Sequence, residues 1–218
     1  MMEDLILLGA SGLAREVIAA RHRYRIVGIL DDDEALHGLL IGGIEVLGGL
    51  GLAGELMARL VVCVGDGSGR RAIVHRLDGL GVSERRYATL MDGSVEIPNG
   101  CTVGNGSVIL AGVVLTANVS IGHHVVIMPH CTLTHDTSIG DFATLAAGVT
   151  LGGAVRLGEG SYLGMNASIR QNVRIGPDAT VGMSAAVLED VPGGETWAGV
   201  PARPLEARTG TRIGRMLS

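Results

Sequence analysis

From Ile97 to Val187 every sixth residue is aliphatic, with no break in step: Ile97, Val103, Ile109, Leu115, Ile121, Ile127 and so on to Val181 and Val187. Four residues after each stands a small or β-branched side chain, from Cys101, Ser107, Val113 and Val119 to Ala185 and Val191. Glycine often follows the aliphatic residue directly, as at Gly104, Gly122, Gly140, Gly158 and Gly176. A helix has an apolar period near 3.6 and a half-buried strand a period of 2, so neither accounts for a sustained step of six. A parallel β-helix does: one large and one small residue per hexad fill the interior while the others turn the corner. Three hexads to a coil predict about five coils, stacked roughly 4.8 Å apart.

Before about residue 90 the pattern changes to α/β. An apolar run, Asp4–Leu8, ends in Gly9-Ala10-Ser11-Gly12 and precedes a helical stretch from Leu13 to about Arg23. A second strand, Arg25–Leu30, ends in Asp31-Asp32-Asp33. A third, Leu60–Val64, ends in Gly65-Asp66-Gly67-Ser68-Gly69, where Arg70 and Arg71 open a helix running to about Leu77. Strand, glycine loop, helix and acidic strand end are the layout of a nucleotide-binding unit, with ligands at the carboxyl ends of the strands. Helix N-termini there favour phosphate, and Asp31 or Asp32 suits a ribose or base. The loop is not GxGxxG, however, and a tight strand-to-helix turn needs glycine without any ligand. The expected organisation is a small Rossmann-like α/β domain at 1–90, a β-helix at 91–192, and a closing loop with a polar tail at 193–218.

Composition sharpens this picture. Only 2% of residues are aromatic against 47% hydrophobic, so the core is aliphatic, which suits a narrow solenoid. The net charge of −5 and the lack of a basic run argue against a nucleic-acid partner. All 17 basic residues are Arg, which removes Walker-type phosphate binding and every lysine Schiff-base mechanism. Cys63, Cys101 and Cys131 have no metal-ligand spacing and read as reduced thiols of a cytoplasmic protein, with Cys101 and Cys131 on the inward step. The acidic start (Glu3, Asp4) lacks a signal-peptide character, and Gly38–Gly54 is too short and too glycine-rich to insert in a membrane.

Coil arithmetic locates candidate chemistry. His135 follows Leu133 by two residues, at an outward or corner position, with Gly153 one coil above and Ala117 one coil below. Asp136 adjoins it. A histidine with a carboxylate neighbour and room for a ligand is the minimum of a general base. The other solenoid histidines have bland explanations: His123 and His124 fall under Asp141 and Phe142, and His130 under Gly148. By spacing alone, the bland account of His135, a solvated surface histidine, prevails.

The chain resembles the sialic acid O-acetyltransferase and bacterial nucleotide-sugar N-acetyltransferase group of hexapeptide acyltransferases. The likeness spans nearly the whole length. It rests on Gly9-Ala10-Ser11-Gly12, Leu30-Asp31-Asp32, Val64-Gly65, Thr134-His135-Asp136, Ile139-Gly140-Asp141-Phe142 and Gly199-Val200-Pro201-Ala202-Arg203. The resemblance implies a left-handed β-helix and an acetyl-CoA-dependent acetyltransferase acting on an amino or hydroxyl group of a nucleotide-linked or free sugar. His135 is then the catalytic base and Asp136 its partner. Ser11, Gly12, Asp31, Asp32 and Gly65 would line the nucleotide-sugar site. Gly153 would adjoin the acyl end of CoA, with Gly164 and Gly182 along the rest of that path. A homotrimer is implied, and no metal. Two positions depart from the family pattern: Thr144 stands where a second histidine is common, and Met91-Asp92 replaces the usual His-Pro.

Two other functions are compatible with a β-helix. A non-catalytic nucleotide-sugar-binding scaffold would keep the solenoid without needing the His135-Asp136 pair. A zinc enzyme of the carbonic-anhydrase-like type pairs histidines five apart, as His130 and His135 are. Its third ligand comes from two coils earlier, where this chain has Ser94 and Asn99.

Overall fold

The computed structural model describes residues 2–205. Its N-terminal part contains β1 (Glu3–Leu8), α1 (Gly12–Ala19), β2 (Tyr24–Leu30), β3 (Leu40–Ile41), β4 (Ile44–Gly48), β5 (Arg59–Val62) and α2 (Gly67–Asp78). The sheet order is β3-β4-β2-β1-β5, parallel throughout except for the short β3–β4 hairpin. The side chains of β1 alternate between two cores, as strand geometry dictates. Leu5 and Leu7 pack with Leu13, Ala14 and Val17 of α1, while Ile6 and Leu8 pack with Leu77 of α2 and with Leu50 and Ala53. Helix α1 ends earlier than the expected Arg23. Its C-terminal residue Ala20 is extended, and the N–H of Arg21 is held by the Asp92 carboxylate at 2.9 Å, which draws the chain away towards β2.

The solenoid follows the predicted six-residue step. Two-residue strands such as Thr132–Leu133, Ser138–Ile139 and Thr144–Leu145 form three parallel sheets, the faces of a left-handed prism. Register holds through the hexads, as Ile121 pairs with Ile139 and Ile139 with Leu157, and Leu133 with Leu151 and Leu151 with Ile169. Only the last coil is two residues shorter, where Ile175 meets Val191 and Val181 meets Trp197. The aliphatic step and the small step four residues later make one continuous core, with Cys131 inside it. At each corner one residue takes positive φ, including Asn118, His124, His130, Asp136 and Phe142. Between the second and third faces the position after the aliphatic residue is glycine in five successive coils, Gly104 to Gly176. At Gly140 a Cβ would lie 2.6 Å from the backbone nitrogen of Glu159 in the next coil.

The stack begins and ends beyond the expected hexads. β6 (Leu90–Met91) already pairs with Val108–Ile109. At the other end, Thr196–Ala198 pairs with Thr180–Val181, and Arg203–Pro204 folds back on it antiparallel. The expected closing loop is therefore, as far as Leu205, a further strand pair with Trp197 nearly buried on the core; the remainder of that segment lies outside the described residues.

Against this prism the α/β part docks through α2 and the outer sides of Val108, Leu110 and Val126. Gly67 makes the approach possible, since a Cβ there would collide with the carbonyl of Phe142. Arg70, fully buried, inserts between the two parts. Its guanidinium donates to the carbonyls of Val64 and Gly65 on one side and of His124, Phe142 and Ala143 on the other, at 2.7–2.9 Å. Desolvation draws its pKa down to about 10, still well above neutrality.

Candidate active site

His135 sits at the corner between the first and second faces, between the strands Thr132–Leu133 and Ser138–Ile139. The inward step takes Leu133 and Thr137 into the core, so of the three residues between them His135 and Asp136, the latter at the positive-φ corner, face outward. Asp136 occupies that corner with φ 61°. Its Oδ2 lies 2.8 Å from His135 Nδ1, both side chains being more than half exposed. This contact holds the carboxyl of Asp136 below the usual carboxylate range, with the Asn118 amide adding to the effect. An ionised carboxylate on Nδ1 leaves Nε2 to face outward.

What Nε2 faces is Gly153. A Cβ on Gly153 would collide with His135 Nε2 and Cε1, so the ring occupies the space that a side chain one coil above would fill. An open cleft of about 470 Å³ follows this edge, lined by Thr134, His135, Gly152, Gly153, Ala154, Gln171 and Asn172. Among the described residues no acceptor takes the Gly153 N–H, whereas the N–H of Ala154 bonds to the carbonyl of His135 at 2.8 Å. The cleft therefore brings the His135 ring against the Gly153 backbone. Asn118, one coil below Asp136, was not among the sequence candidates; Gln171 and Asn172 were not either. Adding or subtracting 18 from Asp136, Gly153 and Ala154 reaches all three.

The remaining candidates lie elsewhere. Ser11 caps α1, accepting from Leu13 N at 3.1 Å and donating to the carbonyl of Cys63 at 2.7 Å. Asp31 accepts from the N–H of Ala10 at 2.7 Å, and Asp32 accepts from Leu50 N and pairs with Arg76. Their side chains thus hold the strand ends together. Gly12 and Gly65 have open space where a Cβ would stand. Ser11 and Cys63 bring the ends of β1 and β5 together, but these residues do not adjoin His135. Gly164 and Gly182 lie on a third edge of the prism, and their lack of a side chain is explained locally: the next coil's backbone passes 2.6 Å from a Cβ at Gly164, and Ala198 Cβ lies 2.8 Å from one at Gly182.

The two departures have structural explanations. Thr144 is buried at the interdomain contact, where its hydroxyl donates to the carbonyl of Gly65 and accepts from Arg70, each at 3.0 Å. Asp92 is buried and takes the N–H groups of Arg21 and Ser94. Of the other histidines, His124 is buried, stacked on Phe142 at 5.2 Å and edge-on to Tyr87 at 4.7 Å. The carboxylate of Asp141 takes the backbone N–H of His123 rather than its ring. Cys131 is interior, and burial pushes its thiol up to about 11, which removes the nearby nucleophile needed for a covalent acyl-enzyme. Among the described residues no three His, Cys, Asp or Glu side chains converge as a metal site, and no helix is long and apolar enough to cross a membrane.

Comparison with known proteins agrees with both halves. Residues 4–77 match the PglD N-terminal domain, 118–153 the bacterial transferase hexapeptide (six repeats), and 93–117 the hexapeptide repeat of succinyl-transferase. No curated protein sequence matches the chain. Among solved structures, the acetyltransferase domain of PglB from Neisseria gonorrhoeae in complex with acetyl coenzyme A is 30% identical, with a TM-score of 0.85 over 94% of this chain and 100% of that one. A histidine-to-alanine mutant of GDP-perosamine N-acetyl transferase from Caulobacter crescentus, in complex with CoA and GDP-perosamine, is 26% identical, with a TM-score of 0.86 over 95% of this chain and 99% of that one. WeeI from Acinetobacter baumannii, 22% identical with a TM-score of 0.64 over 92% of this chain and 99% of that one, shares the fold. With a PglD-type α/β domain ahead of a hexapeptide prism, and a likeness to the acetyltransferase domain of PglB over nearly its whole length, the chain belongs to the hexapeptide-repeat sugar acyltransferases.

Proposed function

We propose that this enzyme transfers an acetyl group from acetyl-CoA to the amine of a nucleotide-linked sugar, with His135 as general base. The observation that carries the reading is the position of the His135 ring, oriented by Asp136 and lying in the space that Gly153 leaves empty. The acceptor nitrogen attacks the thioester carbonyl carbon while His135 Nε2 takes its proton. The C–N bond forms, the C–S bond breaks, and the imidazolium returns the proton to the departing CoA sulfur. The oxyanion that forms in between accepts from the Gly153 N–H. The N-acetyltransferase relatives favour an amine over a hydroxyl acceptor.

The nucleotide belongs, in this reading, at the carboxyl ends of β1, β2 and β5, where parallel sheets bind ligands. Ser11, Asp31 and Asp32 shape the site, while the backbone at Gly12 and Gly65 approaches the ligand; the open space at both glycines supports this. The donor runs up the His135 edge past Gly153. Gly164 and Gly182 reach the donor only across a subunit boundary, as in a homotrimer. Met165 and Met183 on their edge are 49% and 69% exposed, an apolar ridge suited to that contact. The reduced thiols agree with a cytoplasmic site of action.

The test is CoA release from acetyl-CoA, screened against UDP-, GDP- and dTDP-linked amino sugars, the matching hydroxy sugars and free sialic acid. His135→Ala should lower kcat by about two to four orders of magnitude at an unchanged melting temperature, because the ring is exposed. Near-normal turnover in that variant overturns the assignment of the base.

A further inference from the structure

We propose that Asn118 is a positioning residue for the reaction: its side-chain amide fixes the Asp136 carboxylate, which in turn fixes the His135 ring. The proposal rests on the reading of His135 as the base. Asp136 is more than half exposed and by itself free to rotate, and an exposed ion pair holds geometry poorly. The structure holds both of its oxygens. Oδ2 contacts His135 Nδ1 at 2.8 Å, and Oδ1 accepts from Asn118 Nδ2 at 3.2 Å. A carboxylate held at two points cannot swing without losing one of them.

Coil geometry makes the contact. Asn118 and Asp136 occupy the same corner of successive coils, both in the left-handed region at φ 54° and 61°, so their side chains leave the backbone in parallel. Below Asn118 lies Gly100, and the Asn118 Oδ1 leans over it, 3.0 Å from where a Cβ would be. With the oxygen turned back towards Gly100, the amide nitrogen points forward at Asp136. The amide of one coil thus serves the carboxylate of the coil above.

The corner conformation does not itself demand asparagine. Asp136, Asp178, His130 and Ser184 adopt it too. A carboxylate is therefore accommodated at position 118 by the backbone, but it would present an acceptor, and a negative charge, to Asp136. This separates a backbone role from a positioning role.

The experiment measures kcat and KM for acetyl-CoA with Asn118→Asp, Asn118→Gly, Asp136→Asn and the double variant Asn118→Asp/Asp136→Asn, alongside His135→Ala. Asn118→Gly keeps the corner and removes the amide. Both single Asn118 variants should lower kcat about tenfold or more, as loss of an outer partner does elsewhere, with KM within about twofold. The double variant exchanges donor and acceptor between the two corners and so restores an amide–carboxylate contact. Asn118→Asp should therefore cost little beyond Asp136→Asn alone. Wild-type kcat in Asn118→Asp and Asn118→Gly, or the same fold-loss for Asn118→Asp in both backgrounds, overturns the proposal. If His135→Ala is inactive while the Asn118 variants are wild-type, only the positioning role falls. If His135→Ala retains turnover, the base assignment falls and takes Asn118 with it. Circular dichroism melts separate lost activity from unfolding, and Asn118→Gly suits positive φ better than any other substitution.

Discussion

At the scale of single residues, the site depends on an omission as much as on a group. Gly153 is the omission. Because its missing Cβ is where the His135 ring lies, Gly153→Ala should displace the imidazole and lower kcat by about a hundredfold, since misplacement of about 1 Å can cost that much. The backbone at Gly153 is not in the left-handed region, so the fold should survive, and a thermal melt run beside the kinetics checks this. An unchanged kcat would mean that the ring has room elsewhere in the cleft. Sequence arithmetic reached this pair because it asked what stands 18 residues from His135. The same question put to Asp136 returns Asn118, a residue with no signal of its own, since asparagine at a corner is what positive φ alone would select. Thr144 stood out only as a departure, and its role was illegible for a different reason: it depends on Arg70, 74 residues away.

At the scale of elements, β1, β2, β5, both helices and every hexad were legible, because periodicity records which side of an element is buried. The docking of α2 was not. Arg70 opens that helix like any basic surface residue, yet its partners are backbone carbonyls from Val64 to Ala143, and carbonyls leave no trace in a sequence. Arg70→Met keeps much of the volume and orphans those carbonyls. It should destabilise the protein by roughly 2–4 kcal/mol, the cost of leaving buried acceptors unpaired. Urea unfolding measures it, and an unshifted midpoint would show that water replaces the guanidinium.

His124, in the same contact, predicts a pH dependence. Burial lowers its pKa below 6.5, against the opposing pull of Glu84 and in line with the neighbouring His123 and Arg70. Below about pH 6.5 the unfolded chain takes up a proton at this residue that the folded chain refuses, so stability is full above that pH and falls as pH drops through it. His124→Asn, which also tolerates positive φ, should flatten the unfolding free energy between about pH 7.5 and 5. The carboxylates with lowered pKa, Asp66 and Asp92 among them, act at more acid pH and leave this window clear. An equal slope in the variant would assign the dependence to another group.

At the scale of the whole molecule, the chain places a mostly parallel five-stranded sheet against one corner of a prism and the His135–Asp136 pair on the next corner of the same coil, between Leu133 and Leu145. If the donor binds along the His135 edge, acetyl-CoA should raise the melting temperature in a dose-dependent way, by about 2.7 kcal/mol of stabilisation at a hundredfold excess over Kd. A flat response would return the protein to a scaffold role. The proposed trimer is checked by sedimentation equilibrium, with Met165→Asp/Met183→Asp expected to yield monomers.

The register, constant through every coil but the last, makes the prism a ruler. Deleting one residue from the solenoid misaligns every pairing after it, but deleting the 18 residues that follow Asn172 would rejoin like with like, with Leu163 taking the place of Val181 against Trp197. The product would be a shorter rod of unchanged cross-section, with Arg70, His135 and Gly153 where they are. Each coil lost removes about 4.8 Å of edge from the track along which a long donor lies. Reach, in this architecture, is set by counting coils and is separable from the chemistry at the corner.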